Sequence, residues 1–389
     1  MNEKIETKQD RKYKYYFRGE NMKVAFVLQV SSHARYLRRI DKMKELGIEA
    51  KVFAFERDFY KGKIENRDYI SLGNVERENY LKRIKPIIMA LFKLRNQLDS
   101  ADVIYTFGVD TFIIGWIASL LNGHRTKIVY EVGDIRTVVL KENIVGKLFR
   151  FLERRVLNRA DLLVVTSGAF IENYFMRIQK TRDIKYHIIE NKPELTEEKE
   201  KKEKNQIEHN DKITIGYFGV IRCRRSIEIL KEIMLANRNK FNLYIRGIPS
   251  GTDDLIREIR DLEGVEIQGE YTVPDDLYNM YSKADVIWAC YPFQGEKVGN
   301  WNWAKTTRFY EACFFNKPMI SQKGSQDSLI VKKYGIGIDI DLSDINKTAL
   351  EVNKLSLEDI TSMKLKFKKV PSEVFKYRTE HEDLLKKLK

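Results

Sequence analysis

The sequence predicts an α/β protein made of two doubly wound parallel-sheet domains that face each other across a cleft. Three observations carry this expectation. From Met22 onward, continuous β-branched and aromatic runs alternate with helical spacings, as strands buried on both faces and their crossover helices require. The alternation stops once, at LTEEKEKKEKNQIEHNDK (Leu195–Lys212), which has almost no apolar residues and reads as a solvated linker. A second alternating series then opens at ITIGYFG. The chain of 389 residues has the length of two domains, or of three small ones.

The elements follow in order. KVAFVLQV is a buried strand, and ARYLRRIDKMKELG is a helix with Leu37, Ile40, Met43 and Leu46 on one face and Gly47 as its stop. EAKVFAF, DVIYTFG, KIVYEVGD and DLLVVTS repeat the strand pattern, and this series ends near HIIENKPE (His187–Glu194). After the linker come a helix over Ser226–Ala236, the strand FNLYIRG, a helix near Asp253–Arg260 and VEIQGEY. A helix near Asp275–Ser282, ADVIWACYP, a helix in TTRFYEACFF and the strand PMISQ complete the series. The expected boundaries are a basic tail at 1–21, a first domain at 22–194, the linker at 195–212, a second domain at 213–345, and C-terminal helices at 346–389 that pack back towards the first domain.

Composition narrows the class. Hydrophobic residues make up 43%, with 20 Tyr and 20 Phe, enough for sizeable cores, so the chain is not a disordered one. A net charge of +14 favours an anionic partner: nucleic acid, an acidic membrane surface or a phosphorylated small molecule. Cys223, Cys290 and Cys313 are odd in number, far apart and in no metal spacing, so they read as reduced thiols of a cytosolic protein. The longest apolar runs, such as Thr111–Leu121, are too short to span a bilayer, and the first residues are too polar for a signal peptide. The protein therefore reads as soluble or peripheral. RGENM can be encoded as AGA GGA GAA AAT ATG, a purine-rich ribosome-binding sequence before a start codon. Translation from Met22 is one reading of the tail, and an ordinary basic extension is the other.

Two motifs carry chemistry. In GYFGVIRCRRSIEIL a strand is expected to end at Gly219, and a basic loop with Arg222, Arg224 and Arg225 leads into a helix near Ser226. A helix N-terminus attracts anions, and guanidinium groups beside it suit a diphosphate; a solvated basic loop is the alternative. In NWNWAKTTRFYEACFFNKPMISQ, Glu311 lies among Tyr310, Ala312, Cys313, Phe314 and Phe315. A carboxylate in that company either forms an i,i+3 pair with Arg308, worth roughly 0.2–0.5 kcal/mol, or accepts two hydrogen bonds from adjacent ribose hydroxyls. Lys305 and Arg308, at the same helix start, could reach phosphate.

YFGVIRCRRSIEIL, EIQGEYTVPDDLYNMYSKADVIWACYP, TTRFYEACFFNKPMI, ADLLVVTSGAFIENY and HIIENKP together resemble the family-4 retaining glycosyltransferases of the GT-B fold, in the branch of capsule and surface-polysaccharide gene clusters. The resemblance covers nearly the whole chain from Met22. It implies two Rossmann-like domains, the first for the acceptor and the second for a nucleotide sugar. It places Arg222 and Arg225 on the donor diphosphate, Glu311 on the ribose hydroxyls as the second Glu of Glu-x7-Glu, and Arg308 in the basic helix start. The loop QGEYT, with Gln268 and Tyr271, would face the nucleobase, and Gly219, Gly247, Tyr291 and Lys305 complete the donor-binding set. Two departures stand out: Trp303 occupies the position of the first Glu, near the donor sugar, and Thr306-Thr307 replace the usual Pro-Asn.

On the acceptor side the expected residues are Ser31, His33 and Arg35 in VSSHARYL, and Glu131 and Asp134 in YEVGDI. His33 could be a polar contact, a base or a surface histidine, and Asp134 could instead cap a helix. ENYLKRIKPIIMALFKLRNQL (Glu78–Leu98), interrupted by Pro86, would lie on an anionic membrane or pack as a surface helix. The implied activity is transfer of a sugar from a nucleoside diphosphate sugar to a lipid-linked oligosaccharide at the cytosolic face of the membrane. No cofactor or metal is obligatory in that reading, since Thr252–Asp254 reads as a helix start rather than a metal site. The alternatives are a sugar-nucleotide epimerase of the same architecture and a basic nucleic-acid-binding protein, although no recognition motif supports the latter.

Overall fold

The computed structural model describes residues 22–56, 68–74, 84–98, 100–123, 126–181, 183–195, 211–295 and 298–389. The 1–21 tail and most of the 195–212 linker lie outside the described residues, as do residues 78–83 of the expected amphipathic helix. The chain divides into two compact units, one running up to Glu190 and taking back Arg378–Lys389, the other Asn191–Tyr377.

The first unit carries β1 (Lys23–Leu28), α1 (Ala34–Glu45), β2 (Glu49–Glu56), β3 (Ile70–Asn74), α2 (Ile84–Arg95), β4 (Val103–Phe107), α3 (Val109–Asn122) and β5 (Lys127–Val132). It continues with α4 (Thr137–Leu140), α5 (Ile144–Leu157), β6 (Leu162–Val165), α6 (Gly168–Phe170), which runs into a π-helical turn (Ile171–Met176), and β7 (Tyr186–Ile188). The seven strands are parallel in the order β3-β2-β1-β4-β5-β6-β7, so the winding reverses between β1 and β4. Pro86 is helical, within the described span of α2.

The second unit carries β8 (Ile213–Ile221), α7 (Arg224–Ala236), β9 (Phe241–Pro249), α8 (Asp253–Ile259), β10 (Val265–Gln268), α9 (Leu277–Lys283) and β11 (Val286–Ala289). Then come α10 (Asn300–Trp303), α11 (Thr307–Phe314), β12 (Met319–Gln322), α12 (Gln326–Tyr334), β13 (Gly337–Ile340), α13 (Ile345–Val352) and α14 (Leu357–Lys366). Its six parallel strands run β10-β9-β8-β11-β12-β13, with the reversal between β8 and β11. Alternation along β8 splits the core. Ile213, Ile215 and Tyr217 pack under α7 and α8 with Trp288, while Phe218 packs with Tyr281, Phe309 and Cys313 on the other face. The three cysteines are free and buried.

Two boundaries differ from the sequence expectation. β8 runs two residues past Gly219, because Gly219 adopts φ +102° and pairs with Gly247 of β9. A Cβ on Gly247 would lie 1.8 Å from the Gly219 carbonyl oxygen, so the two glycines let the strands continue side by side. The C-terminal segment 346–389 is divided: α13 and α14 stay with the second unit, and α15 (Glu380–Leu388) belongs to the first. There α15 buries Leu384, Leu385 and Leu388, and Lys127 Nζ donates to the Leu388 carbonyl at 2.9 Å.

Candidate donor site and polar cluster

In open α/β sheets ligands bind beyond the carboxyl ends of the strands, at the point where the winding reverses. In the second unit that point is the end of β8 and β11, and Arg308 joins the two. Its NH1 donates to the Phe218 carbonyl at 2.7 Å and its NH2 to the Cys290 carbonyl at 2.8 Å, with the guanidinium 5.2 Å from the Tyr217 ring. Expected at phosphate, Arg308 thus ties the strand ends together. A Cβ on Gly219 would lie 3.6 Å from Arg308 NH1 and 3.7 Å from the Tyr271 hydroxyl, so Gly219, Arg308 and Tyr271 border one small space.

Glu311, one turn along α11, is 2% exposed. One of its partners within the chain is Tyr281, whose hydroxyl donates to Oε2 at 2.7 Å. Burial and the Glu311 carboxylate push the Tyr281 phenol well up, so it stays a hydrogen-bond donor; Tyr271 is raised by the same two causes. The loop that carries Tyr271 is pinned just after it. Asp276 accepts from the Thr272 N–H at 2.7 Å and pairs with Arg246 at 3.1 Å. Gln268 sits on the edge strand β10, accepting from the Tyr244 hydroxyl at 3.1 Å.

The basic loop separates its three arginines. Cys223 caps α7, its Sγ accepting from the N–H of Ser226 at 3.3 Å and of Phe293 at 3.4 Å, so the helix begins at Arg224 rather than Ser226. Arg224 turns away into a two-pronged pair with Asp254, both contacts 2.7 Å, at the start of α8. Arg222 lies 4.7 Å over the Trp301 ring and Arg225 5.6 Å over Phe293, with Glu228 at 3.7 Å. Trp301 also packs on Tyr291 at 5.0 Å, and the Tyr291 hydroxyl donates to the Lys305 carbonyl at 2.9 Å. The loops carrying Arg222, Arg225, Tyr291 and Lys305 therefore meet around an aromatic patch. Trp303 is buried at the end of α10.

Sequence reasoning missed Asp327. It is fully buried at the start of α12 and accepts from the Thr306 N–H with both oxygens, at 3.2 and 3.1 Å. Thr306 in turn caps α11 by accepting from the Phe309 N–H at 3.0 Å. A proline at 306 would have no N–H to give, which accounts physically for threonine there. Burial pushes the Asp327 carboxyl up to about 7 despite the Thr306 bond and nearby Lys305 and Arg308. The folded protein therefore holds a proton that the unfolded chain releases above about pH 4. Stability from this group is full below that pH and lost as pH rises towards 7. Wild-type unfolding free energy is expected to fall by about 1.4 kcal/mol per pH unit relative to Asp327→Asn across that window. Urea titrations of both proteins between pH 4 and 7 measure it, and parallel profiles would refute it.

In the first unit the expected acceptor residues also gather near the winding reversal. Glu131, expected on the acceptor side, has its side chain wholly buried. Tyr105 donates to its Oε2 at 2.5 Å, Arg39 Nε at 3.2 Å, and Arg35 Nε lies 3.7 Å from Oε1. The reason is α1, which lays both arginines over β5. Arg39 NH1 also meets His381 of α15 at 2.6 Å. Arg35 reaches Asp134 at 3.8 Å, while Asp134 is largely exposed and the N-cap position of α4 is Arg136. His33 stacks on Tyr36 at 4.3 Å, and burial together with Arg35 and Arg38 lowers it to about 4, leaving a neutral imidazole at pH 7. Ser31 is buried, its N–H donating to the Phe55 carbonyl at 3.2 Å. Another buried acid, Glu153 of α5, accepts from Tyr130 at 2.8 Å and Gln179 at 2.7 Å, and from Tyr174.

No helix among the described residues is long and apolar enough to cross a membrane. No family model matches the chain. Among curated proteins it is 28% identical over 309 residues to the succinoglycan biosynthesis protein ExoL of Rhizobium meliloti (strain 1021), covering 75% of this chain and 74% of that one. Among solved structures it resembles the sucrose-phosphate synthase of Thermosynechococcus elongatus, with a TM-score of 0.69 and 14% identity over 94% of this chain and 98% of the other. It also resembles Anabaena HepE in complex with UDP and glucose, with a TM-score of 0.68 and 17% identity over 95% and 99%. With two parallel-sheet units of seven and six strands and neighbours of this kind, the chain has the GT-B fold of the glycosyltransferases.

Proposed function

We propose that the protein is a retaining glycosyltransferase of surface-polysaccharide synthesis, moving a sugar from a nucleoside diphosphate sugar to a lipid-linked oligosaccharide at the cytosolic face of the membrane. The observation that carries the reading is the end of β8 and β11, where Gly219, Tyr271 and Arg308 border one space, the Glu311 carboxylate acts on Tyr271, and the aromatic-backed arginines Arg222 and Arg225 follow β8 in the chain. In this reading Glu311 accepts from the two ribose hydroxyls. The diphosphate lies against the start of α7, where the helix N-terminus and two guanidinium groups favour the negative charge that grows as the sugar leaves. Arg308 acts from behind, holding the strand ends in register. Acceptor deprotonation is left to the departing diphosphate, in keeping with a His33 that is a weak base. An epimerase would need acid and base side chains beside the sugar, and Trp303 is no substitute for them.

UDP is the first nucleotide to test, since HepE holds it. In a thermal-shift panel of UDP, GDP, ADP, CMP and dTDP, one nucleotide is expected to raise the melting temperature. At a hundredfold excess over its dissociation constant the gain is about 2.7 kcal/mol. Absence of any shift, together with salt-dependent binding to single- or double-stranded nucleic acid, would overturn the reading.

A further inference from the structure

We propose that Asp327 is a positioning residue of the donor site: it fixes the start of α11 and, through it, Arg308 and Glu311. The inference rests on the transferase reading, since the ligand served is the nucleotide of that site. α11 has eight residues, about two turns, and the segment that opens it is held at three points within the second unit. Just past β11, the Tyr291 hydroxyl donates to the Lys305 carbonyl at 2.9 Å. Arg308 donates to the Phe218 and Cys290 carbonyls at 2.7 and 2.8 Å, near the ends of β8 and β11. Between these two ties, both Asp327 oxygens accept from the Thr306 N–H, at 3.2 and 3.1 Å. Asp327 thereby joins the segment to α12, which follows β12, the next strand of the sheet.

The tie reaches the helix itself. The Thr306 hydroxyl also bonds the Asp327 carboxyl, and its oxygen accepts from the Phe309 N–H at 3.0 Å. A hydroxyl that donates to the acid and accepts from the first turn couples the acid to the turn that carries Arg308, with Glu311 one turn on. Proline can make neither bond, so the tie belongs to this chain and not to a Pro-Asn helix start. Charge state decides its strength. The ionised carboxyl only accepts, as both Thr306 donors require, whereas protonation turns one oxygen into a donor. Burial, opposed by Thr306, Lys305 and Arg308, holds the carboxyl at about 7. Asp327 also acts on the Cys290 and Cys313 thiols, which burial pushes up so that they stay neutral at that pH. The fold is thus more stable with the acid protonated, and the donor site is better ordered with it ionised. That opposition separates positioning from a packing role.

The test is calorimetric titration, at pH 8 and pH 6, of whichever of UDP, GDP, ADP, CMP and dTDP raises the melting temperature of the wild type. At pH 8 Asp327→Asn should bind it about tenfold more weakly, since one charged acceptor becomes a donor. The sign is diagnostic: a bare negative charge near a diphosphate would repel it, so its removal would tighten binding. Between pH 8 and pH 6 the ionised share falls from about nine tenths to about one tenth, and the advantage of wild type over Asp327→Asn should shrink about fivefold. Taking the ratio to the variant cancels titration of the nucleotide itself. Asp327→Asn mimics the protonated acid that the fold favours, and melting temperatures check that each variant folds. Thr306→Pro, at a φ of −73° that suits proline, removes the N–H and should also bind weakly. Combined with Asp327→Asn it should be no weaker than the weaker single variant, because both act through one bond. Glu153→Gln, in a buried cluster of the first unit, controls for lost stability and should keep wild-type affinity. Equal or tighter binding by Asp327→Asn, a ratio that does not change with pH, or additive losses in the double variant would overturn the proposal and leave the transferase reading standing. A wild type that binds none of the nucleotides would overturn both.

Discussion

Glu311→Gln is expected to weaken binding of the nucleotide that stabilises the wild type by roughly tenfold to a hundredfold, with the fold intact. The substitution keeps the size and an oxygen that can accept from Tyr281, and it removes the negative charge. Hydrogen bonds to a charged group contribute about 1.5–3 kcal/mol each, and two ribose hydroxyls would each make one. The amide retains one acceptor, so about one such bond is lost, equivalent to roughly 10–150-fold in affinity. Tyr281→Phe separates the two explanations of a buried carboxylate. It removes one bond that Glu311 accepts within the protein but leaves the carboxylate acting on Tyr271. If Glu311 serves the ligand, Tyr281→Phe lowers the melting temperature and changes nucleotide affinity little, whereas Glu311→Gln does the reverse. If Glu311 serves only the core, both variants lose stability and neither loses affinity. Calorimetric titration of the nucleotide and a thermal melt on each protein decide between these outcomes.

The same residues show what sequence reasoning could and could not reach. The strands were legible because parallel strands buried on both faces need unbroken β-branched and aromatic runs, and KVAFVL and ITIGYF have them. The environment of Glu311 was legible because its apolar neighbours adjoin it in the chain. Tyr281 and Asp327 were not, because they reach α11 from α9 and α12, through contacts that no local pattern encodes. The burial of Glu131 was not legible either. A polar residue near a strand end reads as facing a ligand, but strands covered on both faces give no polar side to orient it, and two arginines of α1 hold it in the core.

The adjacent arginines of the basic loop supply the sharpest experiment, because the fold gives neighbouring identical side chains different work. Arg224 and Arg225 are the first two residues of α7, and one step along a helix turns a side chain by about 100°. That step sends Arg224 to Asp254 and Arg225 to Phe293, on the side of Arg222, Trp301 and Tyr291. Arg225→Ala is expected to lower kcat about a hundredfold to a thousandfold, the loss seen when one preorganised group is removed from a developing negative charge. The loss should fall on kcat more than on the KM for the donor, because charge on the leaving diphosphate is greatest in the transition state. Stability should change little, since the pair that Arg225 makes with Glu228 is partly exposed and 3.7 Å long, and such pairs contribute about 0–1 kcal/mol. Arg224→Ala is the matched control: it makes the same change of charge and of size one residue away. Its pair with Asp254 is exposed, so both its stability and its turnover should stay near wild type. If leaving-group stabilisation came from the general positive field of a chain with net charge +14, the two substitutions would slow transfer equally, and added salt would slow the wild type as much. A large loss confined to Arg225→Ala places the charge stabilisation at one side chain, on one side of α7, and so fixes where the diphosphate lies.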